Sequence, residues 1–346
     1  MSDLRQAVLQ YLEQAAPVAQ AFWTTERARC RPTLIAACDV LYALILLGCG
    51  DLLVSEAANR FTSLLSNSRL AGGVGRGAGR PLNIHLSAYA LGTLNLLLAL
   101  GRAVPEDAFR DSGWRVGELV DPQTLRPRWP AYLSHHSWRV GHWIGGVPSI
   151  IKSLWALSPG RAARNGLPAL DSVLRRSDEL IDSETGLLRA YRLETPQRLF
   201  RLAYRLRHDP DVGDIGGVAH LHWVNYAAGR LPYKSAPALF ARTWRVLQRR
   251  PFIEGVPYCL DFDVLHLART SLPQCASIRR QFADRVRLYV GDVSRFYSGR
   301  LDAGYSLHKL PGGLAALHEC AIATGEDEVP GLQIPPVDVA KQAHWI

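Results

Sequence analysis

Lysine is nearly missing from this chain of 346 residues. Only Lys152, Lys234, Lys309 and Lys341 are present among 40 basic side chains, and the rest are Arg. The formal net charge of +9 is therefore carried by planar guanidinium forks, which suit carboxylate and phosphate. That bias has two readings, an anionic ligand or the codon preference of a GC-rich genome. No Lys/Arg run is interleaved with aromatics, so nucleic acid is not expected as a partner. The six cysteines show no CxxC and no zinc-ribbon spacing, which excludes the commonest zinc and dithiol motifs. Cys38 and Cys49 sit in an apolar helical pattern as small hydrophobes, and reduced cytosolic thiols are the simplest expectation. The N-terminus, with Asp3 and Glu13, does not read as a signal peptide. The apolar run from Leu34 to Gly48 is interrupted by Asp39 and, at about 15 residues, is shorter than a membrane span. A cytoplasmic protein with no integral membrane segment is expected. Alternating β-branched runs are scarce, and the Gly-rich stretch from Leu70 to Arg80 follows no strand, so a nucleotide cradle is not expected.

What the chain does have is helical periodicity. Patterns spaced for helices cover Leu4 to Trp23, Thr33 to Gly48, Leu52 to Leu65, His85 to Leu100, Ser134 to Leu157 and Leu167 to Ile181. They continue over Gly216 to Ala228, Ser235 to Arg249, Phe262 to Ser271, Ile278 to Tyr297 and Gly312 to Thr324, punctuated by Pro and Gly. Small-residue segments recur at Ala88–Gly92, Gly145–Ser149, Gly216–Ala219 and Gly312–Ala316, on the order of one helical hairpin apart. Small residues at helix starts let neighbours approach closely. The expectation is one all-α domain over residues 1–346, with a Gly-rich loop at 70–80 and an irregular tail from about 326.

Three segments concentrate groups that are costly to bury without partners. Residues 134–146 hold His135, His136, Trp138, Arg139, His142 and Trp143. On a helix His135 and His142 share a face and His136 lies about 100° round. A His there acts as acid/base or ligand, Arg139 clamps an anion, and Trp138 or Trp143 offers an apolar platform; the alternative is Trp and His filling gaps in a core. The second segment holds Asp211, Asp214, His220, His222 and Trp223. Asp214 precedes Gly216-Gly217 and reads either as a helix N-cap or, with Asp211, as one of two carboxylates whose pKa values are split into acid and base. His220 and His222 diverge by about 200° on a helix, so both on one ion is not expected. The third holds Tyr258, Cys259, Asp261, Asp263 and His266, where one Asp is a cap and Asp263 and His266 meet on one face. Beyond these, His308 and Lys309 precede the Pro311-Gly312-Gly313 helix start, and His318 reads as a satisfied core group.

The segments Asn83-Ile84-His85-Leu86-Ser87-Ala88-Tyr89-Ala90, Leu180-Ile181-Asp182-Ser183-Glu184-Thr185-Gly186-Leu187 and Tyr305-Ser306-Leu307-His308 resemble those of six-hairpin glycosidases, sugar epimerases and terpenoid cyclases. The resemblance, to the (α/α)6 toroid superfamily, covers roughly residues 30–325. It implies an inner ring of helices whose first residues line a funnel. The expected function is a carbohydrate-active enzyme performing hydrolysis, elimination or epimerisation by acid/base catalysis, without a cofactor. Asp214, Asp263, His142 and His136 are the expected catalytic groups. Arg139, Trp138, Trp143, Asp211, His222, Trp223, Tyr258, Asp261 and His308 are expected to bind substrate, a small molecule or an oligosaccharide, anionic if Arg139 engages it. Protein prenyltransferases, also toroids, hold zinc on Asp, Cys and His. Here Cys259 and Asp261 stand in reversed order, with His308 or His318 as a third group, so no stoichiometric zinc and no metal site is expected. The alternatives are a terpenoid cyclase- or prenyltransferase-like enzyme binding a prenyl diphosphate, and a helical ligand-binding or scaffold protein without chemistry.

Overall fold

A computed structural model describes residues 4–15, 33–53, 56–66, 84–102, 141–142, 144–188, 210–231, 235–249, 251–302 and 304–342. Of these residues 74% are helical and none lies in a strand, the sole extended pairing among them being the bridge between Ile181 and Leu188. The fold is all-α, and no described helix is long and apolar enough to cross a membrane. The expected Gly-rich loop at 70–80 lies outside the described residues.

The helices are α1 (Leu4–Ala15), α2 (Leu34–Leu46), α3 (Ala57–Ser66), α4 (Ile84–Ala99), α5 (Gly146–Leu157), α6 (Pro159–Arg164), α7 (Leu170–Ser177), α8 (Pro210–Ala227), α9 (Ala236–Arg249), α10 (Cys259–Thr270), α11 (Ala276–Gly299), α12 (Leu310–Thr324) and α13 (Val339–Gln342). Two kinds alternate. In α2, α4, α5, α8, α10 and α12 the side chains are buried over long runs: Ala37 to Leu46, Ser87 to Leu97, Gly146 to Ile151, Ile215 to Asn225, Leu260 to Ala268 and Leu310 to Ala321. A helix apolar on every face belongs inside a larger assembly of helices. By contrast α9 buries only Leu239, Phe240, Thr243, Val246 and Leu247, and α11 only Phe282, Val286, Tyr289, Val293, Phe296 and Tyr297. Those spacings draw one stripe along each helix, so each covers the buried set from one side.

Local chemistry sets the ends. The Thr33 side chain accepts from the Ala36 amide at 3.3 Å and starts α2. Gly48, at φ +65°, lets the chain turn away after it. The described part of α8 reaches back to Pro210. The helix therefore begins earlier than Gly216, and Asp214 lies inside it rather than capping it. Likewise α10 begins at Cys259, which makes Asp261 a first-turn residue.

α2 packs on α4, α4 on α5, α5 on α8, α8 on α10, α10 on α12, and α12 returns to α2. Paired contacts advance together along both members. His85 meets His142 and Asn95 bonds Ser153 at 2.9 Å. Cys259 lies under Gly312 and His266 beside Glu319. Asp39 meets His308 and the Leu46 carbonyl meets His318. Gly141 lies against Gly217 and Gly145 against His220; Trp223 meets Phe262 and Tyr226 meets His266. The six helices therefore run parallel, with their N-terminal ends on one side. The recurrent small residues are the points of closest approach: a Cβ on Gly141, Gly145 or Gly312 would fall within 2.5 Å of backbone in the neighbouring helix.

The tail after Thr324 is irregular but docked, with Val329, Leu332, Val339 and Ala340 buried. It lies over the C-terminal ends of the buried helices. The Val337 amide donates to His318 Nδ1 at 2.7 Å, and the Tyr226 hydroxyl donates to Asp338 at 2.7 Å. His318 Nε2 in turn donates to the Leu46 carbonyl at 2.6 Å, so both ring nitrogens are used in holding the tail and α2 together.

Candidate functional site

On the N-terminal side of the six helices polar groups from α2, α4, α8 and the segments leading into α5 and α12 come together. Asp39 sits inside the apolar α2 and is 2% exposed. A carboxylate there needs donors, and two supply them: the Tyr89 hydroxyl at 2.8 Å and His308 Nδ1 at 2.9 Å, both to Oδ1. Tyr89 comes from α4 and His308 from the 3-10 turn Leu307–Lys309 that leads into α12. The bond to Asp39 raises the His308 pKa despite partial burial. With Nδ1 committed to the carboxylate, Nε2 is the nitrogen that meets what lies outside, and the side chain is 36% exposed.

Next to this dyad stand three more histidines. His85 is the second residue of α4, His142 lies just ahead of α5, and His220 lies in the middle of α8. His85 and His142 stack with ring centroids 4.5 Å apart and planes 17° apart. His142 and His220 meet edge to face at 4.7 Å, and the His308 ring is 6.3 Å from His85. One ring nitrogen of each of His85, His142 and His220 lies within 4.8 Å of the other two. His220 Nδ1 is 2.6 Å from the Gly216 carbonyl, which can only accept, so Nδ1 carries the proton and Nε2 the lone pair. Burial, then the nearby His220 and His308, pull His85 down to about 3. Burial pulls His220 down to about 4, against the raising effect of its bond to Gly216. Both are neutral imidazoles near pH 7. His85 and His142 are partly buried and His220 is buried.

No known family model, curated protein or solved structure matches this chain. What it does must be read from this geometry.

Of the residues singled out in the sequence, His142 and His308 fall in the gathering. His136, Trp138, Arg139 and Trp143 lie outside the described residues, as does the Asp211 side chain. Asp214 is half-buried in the second turn of α8, about 120° round that helix from His220. It points to a different side from the histidines. Trp223 is buried beneath His220, with ring centroids 4.9 Å apart, and packs on Phe262; it is core rather than an exposed platform. Asp261 ties the preceding loop to α10, accepting from the Ile253 amide at 3.0 Å and the Tyr258 amide at 2.9 Å. Burial lifts it to about 7 against those bonds. Asp263, about 200° round the helix, faces the other way. It is fully buried, neither carboxylate oxygen has a hydrogen-bond partner, and burial with the Asp261 charge raises its pKa well above the usual range. Cys259, Asp261 and His308 are not brought together, since Asp261 serves its loop and His308 serves Asp39. Tyr258 lies under the Lys309 ammonium, 5.0 Å from its ring centroid.

His222 belongs to a second, deeper cluster. Its Nε2 is 2.8 Å from the Thr270 hydroxyl, and its ring is 5.7 Å from that of His266. His266 Nδ1 is 3.4 Å from Glu319, which also accepts from Arg269 Nε. Burial alone would raise Glu319. The Arg269 charge, then His266, outweigh it and hold the carboxyl at about 2. Arg269 also lies 5.2 Å from the centroid of the Tyr226 ring. These groups come from α8, α10 and α12; Glu319 is paired with both His266 and Arg269, while His266 Nε2 and Arg269 Nη2 have no hydrogen-bond partner.

A cleft of about 530 Å³ flanks the turn that carries His308. Val256, Phe296, Arg300, Asp302, Ser306 and Lys309 line it. Arg300 and Lys309 give it a cationic side, and Lys309 is also 3.7 Å from Glu254.

Proposed function

We propose that the six buried helices are the inner ring of an (α/α)6 toroid. We further propose that its N-terminal rim carries an acid–base active site for a polar, hydroxyl-bearing substrate of the carbohydrate class. The return of α12 onto α2 supports the ring, as do the amphipathic helices α3, α7, α9 and α11, which fall between ring members in the sequence. The observation that carries the chemistry is the Asp39–His308 dyad. A buried carboxylate, itself oriented by Tyr89, fixes the His308 tautomer and supports positive charge on the ring. His308 Nε2 then removes a proton from a substrate hydroxyl, a carbon acid or an attacking water. On this reading the base is His308 rather than one of the Asp214–Asp263 pair. Elimination and epimerisation begin with such a step, whereas hydrolysis uses it to activate water and needs a second group as acid for the leaving oxygen. The Arg300 and Lys309 side of the neighbouring cleft suits an acidic sugar.

The test is turnover and thermal-shift screening across neutral and acidic oligosaccharides and sugar derivatives, with His308→Gln and Asp39→Asn compared. His308→Gln is expected to lower kcat by about 10²–10⁴-fold, the usual scale of a general base, with the fold retained because the side chain is partly exposed. Parental turnover in His308→Gln would overturn the reading.

One observation favours the terpenoid cyclase-like alternative. Asp263 is a buried carboxyl kept protonated, the form needed to donate a proton to an alkene. Turnover of prenyl diphosphates that is lost in Asp263→Asn and kept in His308→Gln would select it.

A further inference from the structure

We propose that His85, His142 and His220 together hold one divalent transition-metal ion, zinc(II) in the first instance, through three imidazole nitrogens with a fourth position turned to the rim. This goes beyond the acid–base reading and stands on different residues.

The three histidines come from three helical stretches far apart in sequence, yet one nitrogen of each lies within 4.8 Å of the others. Tetrahedral zinc with bonds of about 2.0–2.1 Å needs ligand nitrogens roughly 3.3 Å apart, so with one ring fixed the other two have to close on it by up to about 1.5 Å. Side-chain rotation of the partly buried His85 and His142 supplies that movement. His220 is the fixed member: its Nδ1–H is held by the Gly216 carbonyl, the outer-sphere bond that orients a metal-binding imidazole and presents Nε2. A Cβ on Gly145 would meet the His220 backbone at 2.4 Å, so Gly145 allows the His142 segment to come this close to α8.

His318 shows what a structural histidine looks like in this protein. Both its nitrogens bond backbone groups, Leu46 and Val337, and it belongs to no cluster. His85, His142 and His220 instead bring one ring nitrogen each within 4.8 Å of the other two. An all-nitrogen donor set selects zinc, copper, nickel or cobalt over magnesium and calcium, which prefer oxygen. Three protein ligands with solvent access is the arrangement of a catalytic ion rather than a structural one. The Asp39 carboxylate, one residue removed through His308, offers compensating negative charge.

The full chain, purified without a polyhistidine tag and stripped with a chelator, is to be titrated with cobalt(II) and then zinc(II). One equivalent of cobalt is expected to bind with the intense visible absorption of four-coordinate cobalt, and zinc should displace it. His85→Gln and His142→Gln should each weaken binding by at least about 100-fold, more than an outer-sphere change does. Circular dichroism checks the fold of each variant. If one fails to fold the other decides, and a zinc-dependent rise in the parent's melting temperature is read without either. His308→Gln should keep its equivalent of metal, so loss of turnover and loss of metal are separate outcomes. Absence of saturable binding and of a zinc-dependent thermal shift in the parent overturns the proposal. Binding left unchanged in both Gln variants also overturns it.

Discussion

Replacing Asp263 by Asn should make the protein more stable, and only above the pH at which a free aspartate ionises. The side chain is buried in α10 with no hydrogen bond to either oxygen, and burial together with the Asp261 charge keeps it protonated. In the unfolded chain an aspartate has a pKa of about 3.9. Folding at pH 7 must therefore restore a proton that the unfolded chain has lost. One pH unit of such mismatch costs about 1.4 kcal/mol, so the ceiling at pH 7 is about 4 kcal/mol. The folded pKa is raised above the unfolded one. The group is thus least costly below pH 4, and its penalty grows as pH rises toward the folded value. Asn has nearly the same shape and does not titrate. Urea unfolding of parent and Asp263→Asn should give stabilities within about 1 kcal/mol of each other at pH 4. By pH 7 to 8 the variant should lead by roughly 2–4 kcal/mol. A difference that does not change with pH, or a variant less stable than the parent at pH 8, would refute the account of Asp263 as a buried neutral acid.

The deeper network should respond in the opposite direction. Glu319 is held ionised by Arg269 and His266, with His222 next to it, so its stabilising effect is present above about pH 4.5 and lost as pH falls toward 2. Glu319→Gln leaves the Arg269 charge without its counter-ion and is expected to cost about 3–5 kcal/mol at pH 7 by denaturant unfolding; a loss below about 1 kcal/mol would show the pair to be dispensable. Gly312→Ala puts a methyl 2.4 Å from the Cys259 amide nitrogen and should destabilise by about 1–3 kcal/mol or more despite the better helix former. Gly299→Ala, at the exposed end of α11 where a Cβ meets nothing within 4 Å, should instead stabilise by about 0.5–1 kcal/mol. If both alanines behave alike, close helix approach at Gly312 is not what that glycine serves.

The all-helical composition was legible because apolar spacing is a local property: Thr33 to Gly48 and Gly312 to Thr324 announce α2 and α12 nearly to the residue. The small-residue segments at 145, 216 and 312 were visible as well, and they mark the helix crossings. The site was legible only in part. His142 and His308 stood out through their polar company. His85 and Asp39 did not, because a single polar residue in an apolar helix looks the same in sequence whether it is a satisfied core group or half of a pair. The signal was there in another form. Asp39 interrupts a run with no other charge, and a carboxylate buried in such a run must find donors. Its donors come from Tyr89 and His308, 50 and 269 positions away, which no local pattern reveals. Gly216-Gly217 looks like a helix start, but the helix already includes Pro210, so Asp214 is not its cap.

The return of α12 onto α2 also sets when this protein can finish folding. His318 reaches the Leu46 carbonyl across 272 positions, and the Tyr11 hydroxyl reaches the Tyr305 carbonyl across 294. During synthesis α2 therefore leaves the ribosome long before the helix that covers it exists. Its faces must wait, exposed or transiently held, while most of the chain is made. A topology with such distant closing contacts is expected to fold slowly and to depend on protection of the early helices at the ribosome. A chain stalled before residue 308 would carry His85, His142 and His220 but not His308, leaving Asp39 in α2 without the imidazole that it orients.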